Sequence, residues 1–154
     1  MPSDLWSFTL DFYARPGVEQ ACLSLQASGA NVCLLLCGVW LTRRGIACNN
    51  ERVQEIGQLA TPWHDDVVRP LRELRTQWRA SAQRDEQLSL LREQVKALEL
   101  EAERELLARL EAQTLGWSAQ QTPEPGDWLM CLTGEAAEQN RDALQVLRVA
   151  MNRP

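Results

Sequence analysis

Residues 31–41 read Asn-Val-Cys-Leu-Leu-Leu-Cys-Gly-Val-Trp-Leu, without a single charge. Wound as an α-helix at about 100° per residue, the side chains from Val32 to Leu41 cover the whole circumference. A helix that is apolar all round has to be enclosed on every side. The run is well short of the ~20 residues that cross a bilayer, so protein must do the enclosing. Asn31 is a capping residue at its start, Arg43 and Arg44 suit its negative end, and Gly45 is placed to stop it. We read a buried central helix over about 32–44, at the heart of an all-α domain.

Upstream, Ser3 is placed to cap a first helix over residues 4–14. Leu5, Phe8 and Phe12 line one side of it, and Trp6, Leu10 and Tyr13 an adjacent one. So broad an apolar arc predicts contact with two neighbours. Pro16 is placed to open a second helix over 17–28, with Val18, Ala21, Cys22 and Leu25 inward and Gly29 ending it. Downstream, Asn49 and Asn50 cap a short helix near 51–59 that turns Val53, Ile56 and Leu59 inward. Thr61-Pro62, followed by Asp65 and Asp66, reads as a fresh helix start, and Pro70 predicts a kink or restart near Val67–Arg69.

Beyond Pro70, Leu71, Leu74 and Trp78 share a face. Leu88, Leu91, Val95, Leu98, Ala102, Leu106 and Leu110 then form one stripe through a charge-rich segment. Two helices meeting near 81–85 account for this better than a single helix of unusual length. Gln120–Asp127, with two prolines and a glycine, reads as a loop, and the type of Trp128–Leu132 stays open. A last helix over about 135–151 buries Ala136, Ala143, Leu144, Leu147 and Met151. The expected fold is a compact bundle of about six to seven helices around the central one, with a long charged helical region over about 62–113. All of 1–154 forms one domain: a compact N-terminal unit (1–60), the long charged helices (61–116) and a C-terminal helix packing back (127–154).

The chain has 154 residues and a net charge of -5. The acidic balance argues against a general nucleic-acid binder. No basic, apolar leader is visible, which predicts a cytoplasmic protein with no membrane association and with its five cysteines reduced. Lys96 is the sole lysine among sixteen basic residues. Arginine suits phosphate and carboxylate recognition, although a compositional bias explains the count equally well.

Three constellations carry candidate chemistry. Arg69, Arg72, Arg75 and Arg79 cluster on one helical face beside Trp78, a surface able to hold phosphate, RNA or an acidic partner. The plain alternative pairs that face with carboxylates of 85–105, including Asp85, Glu86 and Glu93. Six tryptophans are most simply packing. They could also line an apolar pocket near the central helix, with Gln26, Asn31, Trp40 and Tyr13 around it. Cys33 and Cys37 lie four apart but lack a zinc or cluster spacing, so packing is the reading, with no metal and no cofactor. His64 is the sole histidine, read as an exposed first-turn residue beside Asp65 and Asp66. No nucleophile elbow, phosphate loop, dinucleotide fingerprint or metalloprotease motif occurs, which argues against an enzyme.

The ordered string Trp6-Ser7-Phe8, Tyr13-Ala14-Arg15-Pro16-Gly17-Val18, Ala21-Cys22-Leu23, Leu25-Gln26, Gly29, Val32, Leu34-Leu35-Leu36, Trp40-Leu41 and Gly45 resembles an uncharacterised family of small all-helical bacterial proteins, a domain of unknown function. Pro70-Leu71-Arg72, Arg75 and Glu99-Leu100-Glu101-Ala102-Glu103 extend the resemblance over most of 5–110. It implies a helical cytoplasmic domain and transfers no catalytic residue. At Cys33 and Cys37 the chain departs from the family pattern, which is polar at the first position and bulky and apolar at the second.

The functional expectation is a non-enzymatic protein–protein interaction or regulatory module. It would present its charged helices to another protein, or to a second copy through 85–113. The first alternative is a small-molecule-binding protein or enzyme with a tryptophan-lined pocket, and the second is RNA or phosphate binding through the arginine face.

Overall fold

Asn31 does cap the central helix: its side-chain oxygen accepts from the Leu34 N–H at 3.3 Å. In the computed structural model, which describes residues 4–117, 127–133 and 136–152, this helix is α3 (Val32–Arg43). Every residue from Cys33 to Leu41 is buried, and Gly45 beyond it takes a left-handed φ of 76°. Before it come α1 (Leu5–Tyr13) and α2 (Val18–Ala27). Asp4 caps α1, accepting from the Ser7 N–H at 2.6 Å; Ser3, the expected cap, lies outside the described residues. Pro16 does not open α2. Gly17 intervenes at φ 81°, where a Cβ would also meet Val146 at 3.1 Å, so the chain turns on the glycine and the helix starts at Val18.

The next stretch departs from expectation. Thr61-Pro62 starts nothing, because α4 runs unbroken over Asn50–Trp63 and continues through a π turn, His64–Val68, into α5 (Arg69–Gln77). Proline inside a helix strands the carbonyl four residues earlier. Here Gln58 and Asp66, the residues whose carbonyls are stranded, are exposed, as are Pro62 and Pro70 themselves. Both prolines therefore ride the solvent side of one bent run, where water serves the freed carbonyls. The Arg69 N–H reaches back to the His64 carbonyl. That i to i−5 bond widens the turn just before Pro70, where the kink was expected.

After Trp78 and the short α6 (Arg79–Ala82), Asp85 caps α7 (Glu86–Thr114) by accepting from the Leu88 N–H at 3.1 Å. The two-helix reading with a junction near 81–85 holds. Along α7, Val95, Ala102, Leu106 and Leu110 are buried as expected, but Leu91 and Leu98 are 50% and 51% exposed. α7 packs against α5 and α6 as well as against the core helices, and its stripe is not covered along its full length.

Trp128–Leu132 belongs to a helix, α8 (Trp128–Thr133), and the last segment divides into α9 (Ala136–Gln139) and α10 (Arg141–Met151). In α10 Leu144 and Leu147 are buried, while Ala143 and Met151 are half-buried. The inward placement of Ala136, and the expected loop as far as residue 126, lie outside the described residues. All elements among the described residues are helical, α3 is surrounded by α1, α2, α4, α7 and α8, and α10 packs on α2. The all-α bundle around a buried central helix is what the structure has.

Candidate functional site

Five helices and the π turn meet beside the N-terminus of α3 and leave a cavity of about 210 Å³ between them. α1 contributes Trp6, Thr9, Leu10 and Tyr13, and α2 contributes Gln26. Asn31, Val32, Cys33 and Leu36 border it from α3 and its cap, His64 from the π turn, Arg72 from α5, and Leu100, Glu103 and Leu107 from α7. The wall is mostly apolar, but its polar members are concentrated and constrained. The guanidinium of Arg104 sits 4.9 Å from the Trp6 ring centroid and braces the outer wall. The Trp63 indole N–H donates to the Ala102 carbonyl at 2.9 Å, which ties the approach to the π turn onto α7.

Two residues of the wall, Thr9 and His64, each carry a buried side-chain atom with no hydrogen-bond partner among the described residues, the Thr9 hydroxyl and His64 Nε2. Thr9 is only 7% exposed. A buried polar atom without a partner carries a desolvation cost. On the other side of the His64 ring, Nδ1 lies 3.4 Å from Asp65 Oδ1. Burial pulls the His64 pKa below its ordinary value despite that carboxylate, which favours the neutral ring. Burial likewise pushes the Tyr13 hydroxyl up to about 12.

Beneath the cavity lies an ion-pair network. Glu99 on α7 is 6% exposed. It accepts from Arg75 Nε at 2.5 Å and from Arg72 Nε at 3.1 Å, and Arg72 also donates to Glu103 at 3.2 Å. Burial raises the Glu99 carboxyl, but the bonds and charges of Arg75 and Arg72 outweigh it and hold the group below its ordinary value. Glu103 goes the other way: burial, with the charge of Glu99 added, raises it against the pull of Arg72.

A family model described as "Protein of unknown function (DUF2390)" matches residues 4–110. The chain belongs to that family. No curated protein and no solved structure matches it. Every residue around the cavity, from Trp6 to Leu107, lies within the DUF2390 segment, whereas α8, α9 and α10 lie beyond it.

Of the four pocket residues read from sequence, Tyr13, Gln26 and Asn31 line the cavity. Trp40 does not: it is buried in the core, with the Arg44 guanidinium 4.6 Å from its ring centroid. Of the arginine face, Arg72 and Arg75 turn against α7. Arg69 is exposed and reaches Asp65 at 3.6 Å and Glu73 at 3.8 Å; Arg79 is exposed and Trp78 half-buried. The carboxylates that receive Arg72 and Arg75 are Glu99 and Glu103 rather than Asp85, Glu86 or Glu93. His64 is not the exposed first-turn residue expected, because no helix starts at Pro62 and the π turn carries its ring inward. Trp6 is the one tryptophan of the six that lines the cavity among the described residues, whereas sequence reasoning passed over Thr9 and Glu103, which the packing of α1 on α7 brings together.

Cys33 and Cys37 are buried, and the Cys33 thiol donates to the Glu103 backbone carbonyl at 3.9 Å. Burial pushes the Cys37 thiol up to about 12, far from the thiolate needed for metal or nucleophilic work. Among the described residues no group of three potential metal ligands converges, and no helix is long and apolar enough to cross a membrane.

Proposed function

We propose that this protein binds a small molecule in the cavity between α1, α3, the π turn and α7. The observation that carries the reading is a mostly apolar cavity bordered by a few polar side chains, Tyr13, Gln26, Asn31, Arg72 and Glu103 among them. Ligand sites combine an apolar wall with a few placed polar groups in this way. The arginines that first suggested a docking face are in part committed to Glu99 and Glu103, which moves the weight from the surface to the cavity. The five free thiols support a reducing, cytoplasmic setting.

The test is two-dimensional NMR of the full chain with a set of neutral, single-ring fragments. Fragment-induced shifts should centre on the Trp6 indole N–H and the Val32 and Leu36 methyls. Val32→Phe, which projects a ring into the cavity, should abolish them while the fold persists. Shifts scattered over the surface, or unchanged in Val32→Phe, would sink the reading.

A second reading, association through 85–113, is favoured by Leu91 and Leu98. They are about half exposed and lie two turns apart on α7. Analytical ultracentrifugation decides it: a dimer that becomes a monomer in Leu91→Glu with Leu98→Glu supports self-association, and a monomeric parent rules it out.

A further inference from the structure

Away from the cavity, α8 closes on the bend that leads from α3 into α4 and brings two cysteines together there. The Trp128 indole N–H donates to the Ile46 carbonyl at 2.8 Å, which pins the start of α8 to that bend. Cys131 lies three residues on from Trp128, so it shares that side of the helix, and Cys48 lies two residues on from Ile46. The two thiols come within hydrogen-bonding reach of each other, and Cys48 also feels the charge of Asp127, just ahead of α8. Positions 127 and 131, one helical turn apart, therefore face the same side chain. We propose that Cys48 and Cys131 form a dithiol modification site, which a small-molecule disulfide oxidises to an intramolecular disulfide.

Exposure sets the order of events. Cys131 is exposed and Cys48 half-buried, so the oxidant meets Cys131 first. The Cys131 thiolate attacks one sulfur of the small disulfide. A mixed disulfide forms, the original S–S bond breaks, and the departing thiolate takes up a proton. Cys48 then attacks the Cys131 sulfur of the mixed disulfide. Its proton goes to the second departing thiol, and the Cys48–Cys131 bond remains. Two protein thiols are oxidised, one small disulfide is reduced to two thiols, and nothing else is consumed.

Burial, with the Cys131 thiol against it, holds the Cys48 pKa above its ordinary value. Cys48 is therefore a poor first nucleophile. Its part in the second step comes from proximity, because a thiol already held against its target reacts intramolecularly. Cys22, Cys33 and Cys37 offer neither access nor thiolate: all three are buried, and burial raises each of them. The bond would tie α8, which lies beyond the DUF2390 segment, to the chain just ahead of α4.

The experiment incubates the folded, reduced full chain with glutathione disulfide at neutral pH, alkylates the remaining thiols and maps tryptic peptides by mass spectrometry. Peptide 45–52, which holds Cys48, should be joined to peptide 110–141, which holds Cys131, within a single chain and with no glutathione retained. In Cys48→Ser, Cys131 should stop as the glutathione adduct. In Cys131→Ser, Cys48 should stay unmodified. Cys48→Ala makes the same comparison should Cys48→Ser fail to fold.

Glutathione retained on Cys131 of the parent would overturn the proposal, since Cys48 would then not reach it. A Cys131–Cys131 bond between two chains in place of the internal link, glutathione on Cys48 in Cys131→Ser, or no modification of either thiol would overturn it equally.

Discussion

Glu99 shows how much depends on single residues in this fold. It is buried on α7 and receives both Arg75 and Arg72. Removing one member of a buried ion pair strands its partners, at a typical cost of ~3–5 kcal/mol. Glu99→Gln is expected to lose about 3 kcal/mol at neutral pH, near the low end because the two arginine side chains are 18% exposed. Urea unfolding midpoints measure it, and a loss of only a few tenths would show that the network is ornamental. The sign of the pH dependence follows from the same contacts. The folded Glu99 carboxyl lies below its ordinary value of 4.5, so its contribution is present above that value and lost as pH falls through the folded pKa. Glu103, raised in the fold, contributes oppositely: its share is present below 4.5 and lost as pH rises through its own folded value. Glu99→Gln should therefore decline less steeply than the parent on acidification below 4.5. The partners of these arginines were within reach of sequence reasoning. A hairpin turning near Asp85 sets residues equidistant from the turn opposite each other, which puts Arg72 across from Leu98, beside Glu99, and Arg75 across from Val95, one helical turn short of it. The sequence reading allowed the carboxylates of 85–105 as partners, a range that holds Glu99 and Glu103, but singled out Asp85, Glu86 and Glu93.

Among the elements, α3 was the most legible. Its cap, its end and its burial on all sides follow from the fifteen residues 31–45, because no competing pattern exists for an uncharged apolar run with such ends. The bend between α4 and α5 was the least legible. Thr61-Pro62 has the chemistry of a helix start, yet exposed prolines cost a helix little when water can reach the carbonyls they strand. A signal was available: Pro62 and Pro70 lie eight residues apart and fall on one face. With the helix start misplaced, His64 was put outside the core and the cavity lost its most informative wall. The contact between α3 and α8 supplies a further test. A Cβ on Gly38 would lie 2.8 Å from Leu132 Cδ1 and 3.1 Å from Trp128 Cβ. Leucine can swing away, but Trp128 is 1% exposed and its indole N–H is bonded to the Ile46 carbonyl at 2.8 Å. Alanine gains up to ~1 kcal/mol of helix propensity, whereas overpacking costs ~1–3 kcal/mol. Gly38→Ala is therefore expected to destabilise by about 1 kcal/mol net, measured by thermal and urea unfolding. A stabilised variant would mean that α8 is free to move.

Over the whole molecule, stability is unevenly distributed. α3 sits inside five neighbours, whereas α5 and α6 contain no buried residue and α7 buries its first at Val95. Leu35, 1% exposed, should cost ~2–5 kcal/mol when cut to alanine. Leu88, half-buried on the outer arm of α7, should cost less than half as much under the same denaturant titration. Equal losses would mean that the arm is as tightly integrated as the core. The π turn has another consequence, concerning chain length. A π turn takes in one residue more than an α turn while leaving the helix beyond it facing the same way. In effect the run from Asn50 to Gln77 contains an insertion that its neighbours do not register. Deleting the exposed Asp66 should let the turn close into ordinary α-helix, with Arg72 and Arg75 still opposite Glu99 and the fold retained. Deleting Gln58 instead should swing everything after it by about 100°, pull both arginines off α7 and unfold the protein. Circular dichroism of the two deletions compares them directly. The first, a protein one residue shorter, would keep its architecture and lose only the inward reach of its single histidine.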